Sequence, residues 1–190
     1  MYKTLVSRVA QLTRCFLAAL VAALVVPASA LAAEGRAALE QEAQQIYQKL
    51  VAKQPAAKAL SRDAAAVLVF PKITKAGLVV GGQYGDGVLF KGGKVAGYYN
   101  TAGASYGLQA GAQQYAYAMF FMNEKALEAL NQNDGLEIGV GPSVVVVDQG
   151  MGKSLTSTTA KDDIYAFIFS QKGLMAGIGL QGNKITKLND

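Results

Sequence analysis

The chain has 190 residues, 52% of them hydrophobic, with a single cysteine, no histidine and a formal net charge of +5. The missing histidine removes Ser–His and Cys–His nucleophilic pairs and the commonest metal ligand, and one cysteine cannot close an internal disulfide. The length suits one domain behind a short leader.

The leader comes first. Residues 1–14 carry Lys3, Arg8 and Arg14 and no acid, and Phe16 to Val26 is an unbroken apolar run too short to span a bilayer as a helix. Pro27 and the small residues Ala28, Ser29, Ala30 and Ala32 come next, the order of a secretory signal peptide. Cleavage is expected after Ala32, with Ala30 second. This gives a signal peptide at 1–32 and a single domain at 33–190. Cys15 precedes the apolar run, so it leaves with the leader and is not placed for lipidation. Removing the leader's three basic residues leaves 15 basic against 13 acidic residues, a net +2. The basic ones crowd between 49 and 94 and the acidic ones between 123 and 163.

Along the mature chain, Leu39, Ala43, Ile46 and Leu50 recur at helical spacing, which predicts a helix over 34–53. Pro55 opens a second short helix through Leu60. The period then changes to that of strands. Val67 to Phe70 is an apolar strand expected to stop at Pro71, and Gly77 to Gly82 and Gly87 to Lys91 are two more, with Gly85-Asp86-Gly87 as a turn between them. Gly92-Gly93 reads as a hairpin turn. Val95 to Thr101, Ser105 to Gln113 and Tyr115 to Met122 continue the series. Asn123 caps a helix through Leu130, and Asn133-Asp134-Gly135 turns the chain into a strand over 136–148. Ile164 to Ser170 and Leu174 to Leu180 are strands expected to join at Lys172-Gly173, with Lys184 to Leu188 as the last. The predicted fold class is α+β: a mostly antiparallel sheet or partly closed barrel, with an N-terminal helix and one or two further helices packed on it.

Two motifs imitate nucleotide sites. Gly85-Asp86-Gly87-Val88-Leu89-Phe90 has phenylalanine where a dinucleotide fingerprint needs its third glycine, and the pattern around it is that of a strand, not of a helix start. Gly152-Lys153-Ser154 comes after a valine run but lacks the upstream glycine of a Walker loop, since Val147 stands there. Asp162-Asp163 is the obvious carboxylate pair, in a Thr/Lys-rich loop that suits solvated acids. The expectations are no catalytic residue, no metal, no cofactor and no nucleotide.

Several ordered blocks carry a resemblance. Val67-Leu68-Val69-Phe70-Pro71, Ala76 to Gly82 and Tyr84 to Leu89 are similar to the signature of the SYLF domain family. Ser105 to Gly111, Tyr165-Ala166-Phe167 and Gly173 to Ile178 match its later blocks. That resemblance implies a lipid-binding module, phosphoinositide-binding in animal members and actin-binding in yeast ones, with bacterial members exported to the envelope.

Together these readings lead to a non-catalytic lipid-binding protein of the bacterial periplasm or envelope. Its expected partner is phospholipid or a membrane surface, met through Lys72, Lys75, Lys91 and Lys94 with Tyr84 and Phe90. Nucleic acid and actin are not expected partners of an exported protein. The alternative is a structural or interaction protein of the envelope that binds protein or glycan.

Overall fold

The computed structural model describes residues 28–77, 80–106, 111–132, 135–138, 142–147, 161–173 and 182–188. The chain divides into two units, Met1–Ala38 and Leu39–Asp190; of the first, only the opening turns of a helix are described. The predicted Leu174–Leu180 strand and the Gly152-Lys153-Ser154 motif lie outside the described residues.

Helix α1 runs Ala28–Lys53, six residues earlier than the expected start, and α2 runs Pro55–Asp63 with Pro55 in its first turn. Helix α1 buries its expected stripe, with Ala43 and Leu50 buried and Leu39, Ile46 and Tyr47 packed beside them, and α2 buries Ala56, Ala57 and Leu60.

Strand β1 is Ala66–Gly77, β2 Val80–Lys91, β3 Lys94–Tyr106 and β4 Gly111–Phe121. Helix α3, Glu124–Leu130, comes next; then β5 Leu136–Glu137, β6 Val144–Val147, β7 Ile164–Gly173 and β8 Lys184–Lys187. Among the described residues, these eight strands form one sheet in the order β5-β8-β3-β2-β1-β4-β7-β6. Every pairing is antiparallel except β6 with β7. The α+β class and the mostly antiparallel, curled half-barrel sheet are as expected.

The sheet must curl. Its two outermost strands, β5 and β6, are joined by only six residues, a reach of about 25 Å. A flat eight-stranded sheet would hold its edges about 34 Å apart. Helix α3 also touches both β4 and β8, which lie four strands apart. On the inner face, Leu68, Phe70, Tyr99, Met119 and Phe121 close around Leu127 and Leu130 of α3. On the outer face, Val67, Val69, Val88, Phe90, Ala118 and Phe120 pack under α1 and α2.

Several boundaries differ from expectation. The strand expected over 136–148 is two strands, β5 and β6, at opposite edges of the sheet, and the breaks expected after Thr101 and after Gln113 fall inside β3 and β4. Strand β1 does not stop at Pro71; a bulge between Phe70 and Ile73 absorbs the proline, which cannot donate to a ladder, and pairing resumes beyond it. Gly85-Asp86-Gly87 is no turn but the middle of β2. A Cβ on Gly87 would come within 2.6 Å of the Phe70 ring and 2.8 Å of the Val69 carbonyl oxygen, so close approach and not turn geometry calls for glycine. Strand β7 likewise runs through Lys172-Gly173, with Gly173 paired to Gln113. It bends at Ser170, whose φ of 55° accompanies the register shift. The hairpin at Gly92-Gly93 is as expected, with φ of 57° and 77°.

Candidate functional site

Helices α1 and α2 cover only part of the outer face. Beyond them, the register lays two rows across four strands: Gln114, Thr74, Tyr84 and Ala102, then Ala112, Ala76, Gly82 and Ala104. All eight are exposed. Small residues keep this end flat, and two large side chains stand proud of it, Val80 at 58% exposure and Tyr84 at 57%. Lys72, in the β1 bulge beside Thr74, is exposed as well.

Tyr84 is not loose. Its hydroxyl donates to Asp86 Oδ1 at 3.2 Å, and Asn100 Nδ2 donates to the same oxygen at 2.9 Å and to the Gly85 carbonyl at 3.2 Å. Partial desolvation, then the Asp86 charge and its hydrogen bond, raise the Tyr84 phenol above its ordinary range. The ring is therefore a neutral, anchored, half-exposed aromatic at any physiological pH.

The structure places Lys72 two residues along β1 from Thr74, the register partner of Tyr84, and sets the other expected contacts apart. Lys75 points to the inner face and is buried, flanked in register by Gln83 and Gln113. Phe90 is core: α1 covers it, with the Tyr47 ring stacked at 6.4 Å. Lys91 and Lys94 sit at the β2–β3 hairpin, eight or more residues along β2 from the Lys75 register, or about 26 Å. Lys91 there pairs with Glu124 at 3.0 Å. The charge asymmetry of the sequence thus maps to different ends and faces of the sheet.

The inner face holds what the sequence reading missed. Above the apolar core around α3 lies a buried polar layer: Lys75, Gln83, Thr101, Gln113 and Asn183, with Tyr115 and Tyr117. Tyr115 donates to Gln83 Oε1 at 2.6 Å, and Gln83 Nε2 donates to Asn183 Oδ1. Burial pushes the Tyr115 phenol up to about 12. Burial raises the Tyr117 phenol as well, against a hydrogen bond with the Thr101 hydroxyl that lowers it. The sequence carries little signal for this layer: Gln113 is buried and the adjacent Gln114 exposed, and residue type does not say which of the two faces inward.

The carboxylate pair splits. Asp163 accepts from Asn123 Nδ2 at 2.9 Å and from the Ser143 backbone N–H at 3.1 Å, while Asp162 accepts from the Tyr165 hydroxyl at 3.2 Å. The Asn123 and Ser143 bonds hold Asp163 below the usual carboxylate range. Among the described residues, no group of three or more acidic or cysteine side chains is arranged to hold a metal.

A family model described as Ysc84, Las17-binding protein actin regulator, matches residues 102–190. The match covers 89 of the 190 residues, and over that segment the chain is similar to this family. It includes the last part of β3, all of β4 and α3, and the strands that curl the sheet. The SYLF-like blocks at 67–89 precede it and form β1 and β2, the central strands. SYLF domains are associated with lipid or actin binding. No curated protein matches this chain closely enough to stand as a relative.

Proposed function

We propose that this chain is a non-catalytic lipid-binding protein, exported to the bacterial periplasm or envelope, that meets membrane through the uncovered end of its outer sheet face. One observation carries the reading: Val80 and Tyr84 stand exposed on a flat small-residue surface, with the exposed Lys72 further along β1, past the Thr74 partner of Tyr84. An aliphatic and an amphipathic aromatic side chain on a face that also carries a cation suit the boundary between headgroups and acyl chains. Lys72 would add roughly 1 kcal/mol at an anionic surface. Export, argued from residues 1–32, removes the chain from actin, so the actin regulation in the family description is not carried over.

The test is co-sedimentation with vesicles of phosphatidylglycerol in phosphatidylcholine. Val80→Ser with Tyr84→Ser is expected to weaken binding at least tenfold, given about 1.5 kcal/mol or more for burying each apolar side chain. Lys72→Gln is expected to weaken it a few-fold and to remove most of the salt dependence. Lys91→Gln with Lys94→Gln should change little. Equal losses from the hairpin and outer-face variants, or none from either, would sink the proposal.

A further inference from the structure

The uncovered end of the outer face changes character in steps along β2. Val80, Gly82, Tyr84 and Asp86 alternate outward, and the next outward residue, Val88, is buried beneath the helices. Val80 is apolar, Tyr84 is amphipathic, and Asp86 is charged and half-buried. Lys72 is the second charge at that level. Residues 70–73 of β1 stand opposite 85–87 of β2, between the Val69–Val88 and Thr74–Tyr84 pairs. A Cβ on Gly85 would come within 2.5 Å of the Lys72 carbonyl oxygen, so the two strands are in contact there. Lys72 and Thr74 flank the inward Ile73, which puts the Lys72 side chain on the same face as Asp86. Among the described residues, neither charge takes part in an ion pair. Asp86 accepts only from the neutral donors Tyr84 and Asn100. Both bonds go to Oδ1, so Oδ2 has no partner among the described residues.

We propose, resting on the membrane reading, that this face selects phosphoethanolamine headgroups, with the lipid phosphate against Lys72 and the primary ammonium on Asp86 Oδ2 beside the Tyr84 ring. Charge complementarity selects the class. A purely anionic headgroup satisfies Lys72 and sets like charge against Asp86. A phosphocholine carries both charges, but its quaternary ammonium has no N–H to give the open oxygen. A primary ammonium donates a charge-assisted hydrogen bond to that oxygen, and an exposed aromatic face next to it attracts the same cation. The spacing follows a bilayer's own order. With β2 steep to the membrane and Val80 leading, Asp86 stands about 7 Å behind Tyr84, and a headgroup layer is about 5–8 Å deep.

The test is vesicle co-sedimentation of the exported protein. The vesicles are phosphatidylcholine alone, or phosphatidylcholine mixed with phosphatidylethanolamine or with phosphatidylglycerol. Wild type is expected to bind the ethanolamine mixture about three-fold more tightly than phosphatidylcholine alone, the size of an exposed charge pair. Asp86→Asn keeps an oxygen for Tyr84 and Asn100 but loses the charge. It should abolish that preference and bind the phosphatidylglycerol mixture about two-fold more tightly than wild type. Opposite signs on two lipids separate a headgroup contact from a structural role, which would move both together. Lys72→Gln should weaken binding to all three, since each lipid carries a phosphate, and binding unchanged in that variant overturns the proposal. A preference for ethanolamine that Asp86→Asn retains overturns it also, as does equal affinity of wild type for the first two vesicles. Should Asp86→Asn fail to fold by circular dichroism, N-methylated headgroups and wild type decide. Affinity that falls from the primary to the dimethyl to the trimethyl ammonium supports the contact, and no change overturns it. All of these negative results leave the membrane reading standing on Val80 and Tyr84. Failure of wild type to bind any vesicle sinks both.

Discussion

Asp163 ties three separate pieces of chain together. It accepts from the N-cap residue of α3 and from the residue before β6, and its own N–H donates to the Ser143 hydroxyl at 2.9 Å. Because its folded pKa is depressed, the stability it contributes is fully present above the ordinary carboxylate pKa of about 4 and is lost as pH falls through the lower folded value. Asp163→Asn should cost about 1 kcal/mol at pH 7 once solvent screening is allowed for, and the gap from wild type should close in acid. Urea melts from pH 7 down to pH 2 would check this; a gap that widens in acid would contradict it. Gly87 is the other decisive single residue. Gly87→Ala should destabilise by about 1–3 kcal/mol, since the new methyl meets both the Phe70 ring and backbone. Chemical denaturation measures it, and a neutral result would mean that β1 and β2 can part without cost.

The elements differ in what holds them. Phe120 lies between helix and sheet, 6.2 Å from the Tyr47 ring and 5.4 Å from Phe167 in an edge-on contact. Phe120→Ala should therefore cost about 3–5 kcal/mol. The exposed Lys91–Glu124 pair joins the β2–β3 hairpin to α3, but Lys91→Met should cost under about 1 kcal/mol because both side chains are largely solvated. Thermal melts of the two variants, run side by side, test that ranking. The same contrast explains what is legible in the sequence. The stripe of α1, the Pro55 start of α2, the Asn123 cap and the Gly92-Gly93 turn are written in local spacing and turn chemistry, and each stands where those signals put it. Pro71 and the glycines of β2 mislead because a bulge and a close interstrand approach depend on the neighbouring strand, which one strand's sequence does not reveal. Lys72 and Lys75 are three residues apart, an odd step along β1, so the pleat sets them on opposite faces. For that reason a charge count along the chain does not identify a basic surface.

At the scale of the whole molecule, the sheet is closed by residues from the far end of the sequence. Strand β8 pairs with β3 across some eighty residues, and among the described residues β5 pairs only with β8. The adjoining backbone adds two bonds, Ile138 N–H to the Asn183 carbonyl and Gly182 N–H to the Ile138 carbonyl. A chain ending at residue 181 should consequently lose more than its last nine residues: Tyr99 and Thr101 lose their cover, and α3 loses one of its two walls. Its expected signature is a broadened or absent thermal transition and rapid amide exchange in β3 and β5, with the β1–β2 hairpin still protected. A sharp two-state melt near that of the full chain would refute this. The tether between the sheet edges also has a consequence in time. Strands β1 to β4 can pair as they are made, whereas β5 waits for β8, its partner among the described residues, some fifty residues further on. The curl of the sheet is thus completed after its centre has formed, and until then the central strands make an open ribbon.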